Sequence, residues 1–112
     1  MSFVLPLDRL YESQGWIVFR HPHPGYPFHV LLVPKQAIRS LTDLSDDDAP
    51  LLTELVEVVK VVISQYGLEN EGYRLIANGG QLQDIPQLHF HLVSESPAAG
   101  RSFRKNPANE AR

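Results

Sequence analysis

One stretch, residues 48–66, sets the terms for the fold. Leu51, Leu52, Leu55, Val56, Val59, Val62, Ile63 and Tyr66 recur there at intervals of three and four, with Glu54, Glu57 and Lys60 on the opposite side. That spacing predicts one long amphipathic helix, whose apolar stripe must be buried against something. The flanking segments supply β-rich runs for it to pack on. Residues 16–19 and 29–33 come before the helix, and residues 72–77 and 83–93 after it. Strands, one long helix, then strands predict an α+β domain. Its antiparallel sheet carries the helix on one face.

The ends of that helix are written in the sequence. Ser45 is a cap residue with Asp48 three positions on, and the Asp46–Asp48 acids suit the positive end of a helix dipole. Pro50 fits a first turn, which makes Asp48 an alternative cap. Gly67 closes the helix as a C′ residue. Val58 and Val61 widen the apolar stripe and suggest a second packing surface. Residues 21–27 contain Pro22, Pro24 and Pro27, so they form a rigid loop between two antiparallel strands. From Ser94 onward few apolar residues occur. The ordered domain is expected over residues 1–96, with 97–112 a disordered tail.

Composition narrows the function classes. The 112 residues match one domain, and 43% apolar residues suffice for one core. No cysteine is present, which rules out disulfides and Cys-based zinc sites and fits a reducing, cytoplasmic compartment. No apolar run reaches the roughly 20 residues that cross a bilayer, and the first residues lack a signal-peptide pattern. A net charge of −3 argues against nucleic acid as a partner. A small anionic ligand stays open.

The chemistry-bearing stretch is residues 83–93. Leu88, Phe90 and Leu92 alternate with Gln87, His89 and His91, so a strand there would turn one face to the core and present imidazoles on the other. The bland reading is two polar-face strand residues. For His29 it is a histidine at a strand entry, and for His21 and His23 simple exposure in the proline loop. Asn78, before Gly79 and Gly80, reads first as a turn residue. Without cysteine or a carboxylate at ligand spacing, a zinc site is disfavoured.

These residues resemble the histidine-triad superfamily, whose signature alternates three histidines with apolar residues. Here Gln87 stands at the first histidine. The resemblance spans residues 5–93. It includes the block Phe28-His29-Val30-Leu31-Leu32-Val33-Pro34-Lys35, the segment Gly72-Tyr73-Arg74 leading to Asn78, and Gln83-Asp84-Ile85-Pro86 before the motif. It is closest to the nucleoside phosphoramidase branch.

The resemblance implies that His89 is a nucleophile toward a nucleotide α-phosphate, forming a covalent nucleotidyl intermediate. It implies that His91 and His29 lie beside the phosphate, and that Asn78, Gln83 and Asp84 contact phosphate or leaving group. The main-chain carbonyl of Gln87 would hold the nucleophile's tautomer. His21 stands where relatives carry an acid or amide that grips ribose hydroxyls, and Ala37 where many carry histidine. No metal or cofactor is implied. The expected ligand is a small nucleotide or another phosphorylated molecule, and the expected assembly a homodimer. Three functions remain open: a hydrolase or transferase acting on phosphoramidates or dinucleoside polyphosphates, a ligand-binding protein with little turnover, and a structural dimer partner.

Overall fold

The computed structural model describes residues 8–100. Five strands form one sheet: β1 (Arg9–Glu12), β2 (Trp16–Arg20), β3 (Phe28–Pro34), β4 (Arg74–Ile76) and β5 (Phe90–Ser94). Their order is β1-β2-β3-β5-β4, and every neighbouring pair is antiparallel. One long helix, α1 (Ala49–Gln65), and one short helix, α2 (Leu68–Glu71), lie between β3 and β4. This is the α+β arrangement that the periodicity predicts.

Helix α1 covers one face of the sheet. Trp16, Val18, Val30, Leu32, Phe90 and Leu92 pack under Leu55, Val58, Val59, Val62 and Ile63 in a single core. The face of α1 is rotated from the predicted stripe. Val56 is 56% exposed, whereas Val58, read as widening the stripe toward a second surface, is buried. Counting from Leu51, positions 55, 58, 59, 62 and 66 follow the 3.6-residue period, and position 56 falls off that line.

The helix entry combines two of the predicted devices. Ser45 N–H donates to Asp48 Oδ2 at 2.9 Å, closing a capping box over a 3₁₀ turn at Asp46–Asp48. Asp48 is then the N-cap of α1, and Pro50 sits in the first turn. At the far end Gly67 adopts φ 67°, a left-handed conformation that costs other residues a steric penalty.

Two boundaries differ from expectation. The strand predicted over residues 83–93 forms only at Phe90–Ser94. Pro86 has no N–H to give a ladder, Gln83 Nε2 ties its turn to Ile85 O at 2.9 Å, and Leu88 N–H leaves the sheet to bond Ile38 O at 2.7 Å. The chain also stays folded past residue 96. Residues 97–100 form a turn, Ala99 is buried in the core, and Gly100 N–H donates to Tyr66 O at 2.8 Å. The rest of the predicted tail lies outside the described residues. No described helix is long and apolar enough to cross a membrane.

Glu54 locks the sheet to the helix. Its carboxylate accepts from Ser13 Oγ and from Gly15 N–H, so the β1–β2 turn is bonded directly to α1. Trp16 adds a second tie, its Nε1–H donating to Leu51 O at 3.0 Å. Replacing Glu54 with Ala is expected to lower stability by about 1.5–3 kcal/mol, the range for hydrogen bonds to a charged acceptor. Urea denaturation of the two proteins measures it, and an unchanged midpoint would show the turn is held without Glu54.

Candidate functional site

The pairing of β3 with β5 decides which side chains meet. His29 is opposite Val93 and His91 is opposite Leu31. The two histidines are therefore diagonal neighbours on the sheet face away from α1, a separation long side chains can bridge. Their rings do meet, with His29 Nε2 and His91 Nδ1 2.9 Å apart. His89 shares that face just before β5 begins, with its ring centre 5.2 Å from that of His91. His21 comes from the proline loop and stacks on the pair, with ring centres 4.3 Å from His29 and 5.9 Å from His91. Tyr26 presents an edge contact to His29 at 5.3 Å.

Backbone groups fix the tautomers of three rings, and the His29 side chain fixes that of the fourth. A carbonyl can only accept, so the 2.8 Å contact between His89 Nδ1 and Gln87 O requires a proton on Nδ1. A neutral His89 then has a bare lone pair on Nε2. The opposite holds for its neighbours. Gly25 N–H donates to His29 Nδ1 at 3.0 Å, so neutral His29 carries its proton on Nε2 and gives it to His91 Nδ1. His91 must in turn carry its proton on Nε2. His23 N–H donates to His21 Nδ1 at 2.9 Å, which puts the His21 proton on Nε2 as well. One imidazole thus offers a lone pair at Nε2, and three carry a proton there.

Charge is disfavoured on three of these rings, His29, His91 and His21. Burial, with His21 and His91 beside it, pushes the His29 imidazole down to about 4. Burial also lowers His91 and His21, each helped by neighbouring histidines and opposed by the Asp84 carboxylate. His89 is only 8% exposed. Among the described residues no buried side-chain nitrogen or oxygen lacks a partner. His89 Nε2 makes no hydrogen bond, so it must keep an opening to solvent.

The other residues singled out from sequence are placed less centrally. The Gln87 side chain turns from the histidines and donates to Gln36 O at 3.3 Å and Leu88 O at 3.4 Å. Gln83 Nε2 donates to Arg39 O at 2.7 Å and to Ile85 O, which shapes the turn before the site. Asp84 lies close enough to act electrostatically on His21 and His91. It also lines, with Arg39, Ser40, Gln83, Ile85 and Pro86, a groove of about 390 Å³. Asn78 is half-buried just after β4 and makes no side-chain hydrogen bond among the described residues. Sequence reasoning passed over Gly25 and Tyr26, which hold His29. Their only signal was the proline loop around them.

Residues 5–105 match the family described as scavenger mRNA decapping enzyme C-term binding. An uncharacterized HIT-like protein of Synechococcus elongatus is 37% identical over 105 residues, covering 92% of this chain and 87% of its own length. The chain belongs to the histidine-triad (HIT) family. The purine nucleoside phosphoramidase of Escherichia coli is 31% identical to this HIT protein over 97 residues, covering 83% of this chain and 80% of the relative. The crystal structure of a HIT family hydrolase from Legionella pneumophila superposes with a TM-score of 0.78 at 31% identity, over 82% of this chain and 84% of that one. The five-stranded sheet with one long helix is therefore a HIT fold.

The depressed His29 value has a sign that can be checked. Folding disfavours the charged ring, so its contribution is complete above the ordinary 6.5 and is lost as pH falls toward about 4. The urea midpoint is expected to fall between pH 6.5 and 5, where carboxylates contribute little. His29→Gln is expected to flatten that slope. Nitrogen NMR of the wild type should find His29 neutral, with its proton on Nε2, at pH 5.5. A ring already half charged at that pH would overturn the assignment.

Proposed function

We propose that this HIT protein is a nucleotide hydrolase or transferase in which His89 attacks the α-phosphorus of a nucleoside phosphoramidate or dinucleoside polyphosphate. The observation that carries the reading is the bond from His89 Nδ1–H to Gln87 O, which leaves Nε2 with a lone pair and an opening to solvent. The similarity to the E. coli purine nucleoside phosphoramidase supports a nucleotide with a P–N bond as substrate.

The steps follow from the tautomers. The Nε2 lone pair of His89 forms a bond to phosphorus, and the P–N or P–O bond to the leaving group breaks. The leaving group departs with that electron pair and is protonated from solvent. His89 becomes a nucleotidyl-imidazolium whose positive charge rests against the Gln87 carbonyl. Water then attacks phosphorus, the P–Nε2 bond breaks, and its electron pair returns to His89 while the water proton goes to solvent. Charge building on the phosphoryl oxygens meets the Nε2–H of His91, which His29 holds in place.

Turnover of adenosine phosphoramidate tests the reading. His89→Ala is expected to lower kcat by about a thousandfold or more while nucleotide binding persists. Wild type quenched in alkaline denaturant, which spares the acid-labile P–N bond, should carry a nucleotidyl group on His89. A wild type that binds nucleotide but never turns over would favour the second reading, a binding protein. One observation favours that alternative: the Gln87 side chain faces Gln36 and is not available to move a proton at the leaving group.

The protein as we read it acts as a homodimer. Val56 on α1 and Tyr73 and Leu75 on and beside edge strand β4 are exposed apolar groups suited to a second copy. Light scattering at micromolar concentration reads the mass directly, and a monomer would set the dimer aside.

A further inference from the structure

Three imidazoles crowd one spot. One ring nitrogen from each of His21, His29 and His91 lies within 4.8 Å of the other two. Such a cluster can serve two opposite ligands. A transition metal needs a lone pair from each ring, at about 2.0–2.1 Å from the ion. An anion needs an N–H from the rings that touch it, here His21 and His91, because the His29 Nε2–H is already given to His91. Spacing does not separate the two, but the bonds on the far side of each ring do.

The rings of His21 and His29 each accept a backbone N–H at Nδ1, from His23 and Gly25. An imidazole that accepts there and also gives a lone pair at Nε2 would be an anion. To ligate a metal through Nε2, both rings would have to break those bonds and move their protons to Nδ1, facing the same N–H groups. His91 accepts from His29 at Nδ1 and so also keeps its proton on Nε2. The backbone around the cluster therefore selects donors over ligands. A metal-binding histidine usually shows the reverse arrangement, with its second nitrogen donating to a carbonyl or carboxylate. In this site only His89 has that arrangement.

His21 is the member that neither the strand register nor the reaction scheme requires. Its backbone N–H bonds His29 O at 3.0 Å, which pins the start of the loop to β3. Pro22 follows at once, restricting the His21 backbone, and the ring lies half-buried on His29. The ring is also near enough to His89 for the two to interact electrostatically. A half-buried N–H, held by its neighbours beside a nucleophile, is a preorganised donor.

We propose that His21 is an anion-binding residue of the substrate site. Its Nε2–H acts with that of His91 on a ligand that presents at least two acceptor oxygens, as a phosphoryl group does. The inference rests on the phosphate reading of the site and adds to it a third imidazole from the proline loop. It also assigns the three-histidine cluster to an anion and not to a metal ion.

The test uses the full chain, with inorganic phosphate and AMP as probes and histidine-resolved nitrogen and proton NMR as readout. On phosphate addition, the Nε2–H signals of His21 and His91 should shift together while the His89 Nδ1–H signal stays in place. His21→Phe keeps the ring stacked on His29 but removes the donor. It is expected to weaken AMP binding by on the order of tenfold, the worth of a hydrogen bond to a charged group. His21→Gln, which restores an N–H, should recover part of that loss, and binding of uncharged adenosine should be the same in all three proteins.

The outcomes separate the claims. If His29 and His91 respond to phosphate but His21 does not, or if His21→Phe binds AMP normally, His21 is a packing residue and the proposal fails while the phosphate site stands. If no histidine responds to either probe, the phosphate reading fails too. If zinc ions at micromolar concentration remove all three Nε2 protons and shift the Gly25 and His23 amides, the cluster is a metal site and the donor assignment is wrong.

Discussion

The register between β3 and β5 is the constraint on which the rest of this molecule depends. His29 opposite Val93, and His91 opposite Leu31, place two imidazoles diagonally on one sheet face while Val30, Leu32, Phe90 and Leu92 enter the core beneath α1. A slip of one residue would turn every one of these side chains to the other face. The histidines would then be driven under the helix and the leucines into the site. The apolar alternation that builds the core thus also fixes the histidine face. The core side is heavily committed, with Val30, Leu32 and Leu92 fully buried. That burial makes the register expensive to change, so the site inherits its geometry from packing rather than from its own weak contacts.

On that platform, the main chain sets the chemistry. Four histidines close together could adopt many combinations of tautomer and charge. Here three backbone groups, Gly25 N–H, His23 N–H and Gln87 O, settle the proton positions, and the His29–His91 contact carries the choice to the fourth ring. Burial supplies the second condition by disfavouring charge on His29, His91 and His21. The proline loop, whose one backbone tie to the sheet is the His21 N–H to His29 O, enters through this network. Gly25 and His23 belong to it, and its rigidity keeps two donors aimed at imidazole nitrogens.

The parts of this design that sequence reveals are those carried by periodicity. The long helix, its Ser45–Asp48 entry, the Gly67 exit, the central strands and the shared face of His89 and His91 all follow from spacing of three, four or two. What was hidden depended on contacts between segments distant in the chain. Val56 and Val58 differ only in which side of α1 meets the sheet, and the stripe was wide enough to allow either. The segment before β5 alternates like a strand, yet Leu88 finds its partner in Ile38, fifty residues away. Ala99 is one small residue in a polar stretch, and only the pairing of Gly100 with Tyr66 brings it into the core. Local sequence reads His21 as an exposed loop residue, and only the family resemblance put it at the ligand, because nothing local says that its ring will lie on His29.

The same distinction applies to the two halves of Gln87. Its carbonyl holds the His89 proton, and a carbonyl is present whichever side chain the residue carries. The amide side chain is free for another use and reaches Gln36 O in the segment after β3. The His89 tautomer and loop anchoring are thus divided between the backbone and side chain of one residue. The identity of residue 87 bears on the 36–38 segment. The tautomer of His89 is set by the path of the main chain from Pro86 to Phe90, and that path is set by the core.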